Sequence, residues 1–215
     1  MGIYSPKKRL AKLNWLKENN VLDNMTPLQI QKFLFFTEMF NKNTGAEYDL
    51  NKLRAYRNGP VFSDTYGDMK HSRPELHETL EQHEEDFSDL ENSNLEKAAF
   101  ISLSHTDDEL SEITHQMDLW KSKAERIAKN ELQIPITDED ITNRDMSRIN
   151  SIYKFADDIS DYSINRINDK VFLFNEEDSN LLTEDMIQTL DLLSADENLI
   201  NPVYVSVEDG VMIID

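Results

Sequence analysis

The stretch that most constrains this chain is the helix start at residues 25–36, Met-Thr-Pro-Leu-Gln-Ile-Gln-Lys-Phe-Leu-Phe-Phe. Thr26 is placed to cap a first turn, since its hydroxyl can accept one of the unpaired amide protons there. Pro27 then falls at N1, where its missing N–H costs nothing. Gln29, three residues past the cap, completes a capping box, and Met25 and Ile30 stand at the N′ and N4 positions of a hydrophobic staple. Ile30, Phe33, Leu34, Phe36 and Phe40 recur at helical spacing. Gly45 suits the left-handed residue that ends a helix. The chain is expected to return through residues 53–56, turn sharply at Arg57-Asn58-Gly59-Pro60, and start a short helix at Ser63. A fold built around one apolar, well-capped helix and a rigid elbow follows.

The segments beyond it read as further helices. Ser5-Pro6 is expected to cap a basic first helix carrying Lys7, Lys8, Arg9, Lys12 and Lys17. That helix has three competing roles: packing on the core, docking a partner, or lying on a membrane or nucleic acid. Ser72, Ser93 and Thr106 each precede a helical pattern, with acidic loops at residues 84–86 and 89–91. Residues 119–131 read as one helix broken by Pro135. Thr137 is expected to start a longer helix with Ile141, Ile149, Ile152, Tyr153, Ala156 and Ile159 on its buried stripe. After residues 160–169 the pattern changes. Val171–Phe174 reads as a strand, Thr183 as a helix cap, and residues 203–214 as a β-hairpin turning at Asp209-Gly210. The expected fold class is therefore α+β and predominantly α-helical. A compact multi-helix core carries a small C-terminal antiparallel β element.

Charge separates the function classes. The 215 residues carry 22 Lys/Arg and 42 Asp/Glu, a net charge of −20. Residues 1–60 hold ten Lys/Arg against five Asp/Glu, net +5; the rest hold twelve against 37, net −25. An acidic body repels nucleic-acid phosphates, so direct nucleic-acid binding is disfavoured and a partner with a basic surface is favoured. The absence of cysteine excludes disulfides and thiolate metal sites. The first twenty residues lack the apolar run of a signal peptide, and no apolar segment approaches a membrane span, so a cytoplasmic protein is expected. His71, His77 and His83 stand six apart and cannot share a helix face. No metal-binding motif, phosphate-cradling loop or nucleophile elbow occurs, so neither a catalytic residue nor a metal or other cofactor is expected.

Two blocks carry a family resemblance. Thr26-Pro27-Leu28-Gln29-Ile30-Gln31-Lys32-Phe33-Leu34-Phe35-Phe36 is followed by Ala55-Tyr56-Arg57-Asn58-Gly59-Pro60-Val61 and Thr65-Tyr66; the second block is Glu109-Leu110-Ser111-Glu112-Ile113-Thr114-His115, with Trp120 behind it. Together they resemble the Panacea domain of SocA-like antitoxins and phage-associated proteins, over about residues 25–142. Tyr56 stands where the family often has Trp. The division this implies is a basic N-terminal helix at 1–24, a Panacea-like domain at 25–142 and a C-terminal α+β extension at 143–215.

By resemblance, the chain is expected to neutralise a cognate protein toxin by direct binding. The alternative is a phage or prophage counter-defence protein, an acidic and DNA-mimicking inhibitor of a host nucleic-acid-binding effector. The expected partner contacts are Tyr56, Arg57 and Asn58 at the elbow and Glu176, Glu177 and Asp178 in the extension. Thr26, Pro27, Gln29, Gly59, Pro60, Thr114, His115 and Trp120 are expected to be structural; His115 is weighed against a role as a partner contact.

Overall fold

Thr26 caps α2 (Pro27–Thr44) in the computed structural model, which describes residues 2–158 and 162–215. Its hydroxyl accepts the Gln29 amide at 3.1 Å, and the Gln29 side chain accepts the Thr26 amide at 2.9 Å. Gly45 closes the helix at φ +80°. The apolar stripe is wider than its spacing implies. Phe33, Leu34, Phe35, Phe36, Met39 and Phe40 are all fully buried, and so are Lys32 just before them and Thr37 among them. A helix buried on every side is the centre of a domain, and each buried Phe contributes roughly 2–3 kcal/mol.

The basic helix α1 (Lys7–Glu18) packs into this core. Arg9 is buried, donates to both Asp64 oxygens at 2.7 and 2.9 Å, and lies 4.0 Å above the Phe62 ring. Lys12 pairs with buried Glu38. Ser5 does not cap the helix, as its hydroxyl goes instead to Asp68 at 2.7 Å and Thr65 at 3.0 Å.

The elbow is a hairpin. β1 (Leu53–Tyr56) pairs antiparallel with β2 (Gly59–Phe62) and, on its other side, with β3 (Ile134–Pro135). α3 (Ser63–His71) follows at once, then α4 (Arg73–Leu80), which ends short of Glu85. α5 (Asp89–Leu103) starts earlier than expected. Ser88, with Glu91, forms its capping box, so Ser93 lies inside the helix and residues 89–91 form its first turn rather than a loop. Thr106 caps α6 (Asp107–His115) with Glu109 as expected. Residues 119–131 divide into α7 (Asp118–Lys121) and α8 (Ala124–Ala128).

Thr137 caps only a single 3₁₀ turn; the long helix is α9 (Asn143–Asp158). Its cap is Thr142, paired with Asp145, whose carboxylate also accepts the Asp118 and Leu119 amides at 2.6 and 3.2 Å. One buried carboxylate thus joins the starts of α7 and α9. Ile149 and Ala156 are buried as expected; Ile159 lies outside the described residues. The main core draws side chains from Leu10 through Ala156, so α1 and α9 share it with the segment between them.

The C-terminal sheet is larger than one hairpin. β4 (Tyr162–Ile167), β5 (Lys170–Asn175), β6 (Val203–Glu208) and β7 (Val211–Ile214) lie in chain order. The β6–β7 hairpin turns at Asp209 (φ +51°) and Gly210 (φ +76°), the positive-φ pair of a type I′ turn. The expected antiparallel β element is present in the β4–β5 and β6–β7 pairs, and it belongs to a mixed sheet, because β5 and β6 run parallel. The connection between them holds α10 (Glu176–Ser179) and α11 (Glu184–Leu193), and a crossover of that kind is what parallel pairing requires. Phe100 of α5 packs with Val171 and Leu173 of β5, and Arg166 donates to the Leu103 and His105 carbonyls, docking the sheet on the helical body. Among the described residues no helix is long and apolar enough to cross a membrane.

Candidate functional site

The two resemblance blocks meet around the hairpin turn. Gly59 takes φ +102°, and a Cβ there would stand 2.1 Å from Lys32 Nζ and 2.4 Å from Thr114 Oγ1. Only glycine lets β2 pass this close to α2 and α6. Lys32 Nζ donates to the Asn58 carbonyl at 2.7 Å and to Thr114 Oγ1 at 3.1 Å. Trp120 Nε1 donates to the Tyr56 carbonyl at 2.8 Å. His115 stacks on Trp120 with ring centroids 3.8 Å apart. Side chains from α2, α6 and α7 therefore hold the main chain of the turn at successive points.

The clamp has unusual electrostatics. Burial pushes the Lys32 amine down to about 7, against the opposing pull of the Asp107 carboxylate. At neutral pH such an amine is part charged and part neutral, and both forms carry N–H donors for the two oxygens within its reach. His115 is also held below its ordinary value, first by burial and then by the Lys32 charge; the Arg57 carbonyl and Glu112 oppose this. The clamp therefore disfavours the charged imidazole.

Beside the turn lies a cleft of about 350 Å³. Its apolar walls are Pro27, Leu28 and Val61, its aromatic walls Tyr56 and Tyr66, and its polar lining includes Lys32, Arg57, Asn58 and Asp107. The two tyrosine rings stand 5.7 Å apart. Arg57 and Asn58 are exposed, whereas Gly59 and Pro60 are buried. Asp107, at the far wall, accepts the Thr26 hydroxyl at 2.6 Å, which ties the start of α2 to the start of α6. The arrangement offers a preformed apolar and aromatic hollow with a cationic rim. It brings Tyr56, Arg57 and Asn58 together on one accessible surface.

The acidic trio sits elsewhere, in the first turn of α10 after β5. Glu176 and Glu177 are exposed. Asp178 is buried; its carboxylate accepts the Asn175 side chain at 2.7 Å and its amide donates to Asn175 Oδ1 at 2.7 Å. Asp178 is thus a local structural residue, and the expectation that it forms a surface contact is corrected. Sequence reasoning passed over Lys32 and Asp107. The available signal for Lys32 was a cation whose helical neighbours at i−4, i+3, i+4 and i+7, Leu28, Phe35, Phe36 and Met39, are all apolar. Among the described residues no group of three or more His, Asp or Glu side chains is arranged to hold a metal ion.

Compared with protein-family models, with curated proteins and with solved structures, the chain matches none.

Proposed function

We propose that this chain is a non-enzymatic protein-binding module of the antitoxin type, which neutralises a basic cognate protein toxin in the cytoplasm by direct contact. The observation that carries the reading is how the polar side chains around the turn are used. Lys32, Thr114 and Trp120 each spend their polar atoms on the main chain or side chains of the turn and α6. The turn then presents Tyr56, Arg57 and Asn58 beside an apolar cleft, the mix of aromatic and Arg side chains that dominates protein interfaces.

The test is growth. Expression of the neighbouring open reading frame alone is expected to arrest growth, and co-expression with this chain to restore it, with the two products purifying as one complex. Arrest that persists with this chain abundant and folded contradicts the reading. The acid excess favours a second reading, occupation of a nucleic-acid-binding groove on a host effector. Under that reading duplex DNA displaces the chain from its partner, and under toxin capture it does not.

A further inference from the structure

Among the described residues β7 pairs with β6 on one side only, at a margin of the C-terminal sheet. Tyr204 and Asp215 exchange both main-chain hydrogen bonds, at 3.2 and 3.0 Å. In an antiparallel pair such exchanges alternate, so Ile213 and Val211 bond inward to Ser206 and Glu208. Met212 and Ile214 consequently turn their N–H and C=O groups outward, along the free edge. Their side chains pack on the cluster of Phe172, Phe174, Leu190, Val203 and Val205. Val211 and Ile213 stand on the opposite face, 64% and 38% exposed.

Edge strands are normally blunted by Lys, Pro or a bulge. β2 carries Pro60 and β4 carries Arg166. Val-Met-Ile-Ile carries none of these. The surroundings are acidic: residues 171–215 contain eleven Asp/Glu and no Lys or Arg, with Glu208 and Asp209 at one end of the edge and Asp215 at the other. Pairing with a second copy brings like charges together, whereas a basic strand neutralises them.

We propose that the free edge of β7 docks an extended basic segment of a protein partner, one that alternates apolar residues with Lys or Arg and adds a fifth strand to the sheet. Main-chain bonds to Met212 and Ile214 supply the pairing, Val211 and Ile213 cover its apolar side chains, and the acidic ends select its charge. The inference rests on the protein-binding reading above and names the surface that serves it.

The probe is a short synthetic peptide alternating Lys with Val, added to the full chain. It is expected to bind in a salt-dependent way and to slow hydrogen exchange at the Met212 and Ile214 amides by about tenfold or more. A peptide alternating Glu with Val, and a same-charge control with Pro replacing Val, are expected not to bind. Met212→Pro removes an outward N–H without taking a bond from β6, and is expected to weaken binding at least about tenfold. Val211→Lys with Ile213→Lys leaves every main-chain group in place and is expected to weaken it similarly. Equal binding of either control peptide, or unchanged exchange at Met212 and Ile214, overturns the inference. So does self-association of the chain with those amides already protected, which makes a second copy the occupant. A toxin that binds the double-Lys variant as it binds wild type overturns the docking edge and leaves the antitoxin reading standing. Peptide binding as described, without any toxin binding, overturns the reading alone.

Discussion

Gly59 and Lys32 show how tightly single residues are determined by their surroundings. Gly59→Ala adds a methyl against Lys32 Nζ and Thr114 Oγ1 in a backbone conformation that L-residues avoid. The expected loss is about 2–4 kcal/mol, read from chemical denaturation; an unchanged midpoint contradicts the close approach. Lys32 makes the stability depend on pH. Its folded value is about 7 against an ordinary 10.5, so between these limits the unfolded chain binds the extra proton. The Lys32 contribution to stability is lowest below pH 7 and rises as pH climbs toward 10, by at most about 1.4 kcal/mol per pH unit. Lys32→Met abolishes that slope while losing the two hydrogen bonds. Wild-type and Lys32→Met melting temperatures that change in parallel between pH 7 and pH 9 contradict it. Gly59 and Pro60 were legible as a turn in the sequence. The lysine that holds them was not, because its partners are an Asn58 carbonyl and a Thr114 hydroxyl far away along the chain.

At the scale of elements, what could be read locally was read well. The Thr26 and Thr106 capping boxes and the Asp209-Gly210 hairpin depend on residues within four positions of one another, and all three are present. Choices settled by distant partners were not legible. Thr137-x-x-Asp140 and Thr142-x-x-Asp145 look alike as caps, yet the long helix starts at the second. Asp145 also takes two amides of α7, and only the folded chain brings those within reach. β4 escaped notice because Ser163, Asn165 and Arg166 dilute its apolar residues, and the parallel register of β5 with β6 leaves no short-range mark. Asp145→Ala strands amides of two helices and is expected to cost about 2–4 kcal/mol; Asp145→Asn keeps an acceptor and costs less. Equal midpoints for wild type and Asp145→Ala in a denaturant titration contradict this role.

Over the whole molecule, the positive charge of the first sixty residues is largely spent internally. Arg9 meets Asp64, Lys12 meets Glu38, Lys17 meets Glu81 and Lys42 meets Asp138. The acids of residues 171–215 have no Lys or Arg within that segment, so the excess negative charge is available to a partner. The paired reversal Glu176→Lys with Glu177→Lys is expected to weaken association with a basic partner several-fold in a salt-dependent way, and to leave the melting transition nearly unchanged. Unaltered affinity at low salt contradicts a role for this surface. Asp178 is excluded from that test because its carboxylate is engaged within α10. The most direct measurement is calorimetric titration of this chain with the purified product of the neighbouring open reading frame, with and without excess duplex DNA. The account predicts a saturable complex that DNA does not displace and that Arg57→Ala weakens about tenfold without lowering the melting temperature. No binding, or full displacement by DNA, contradicts it.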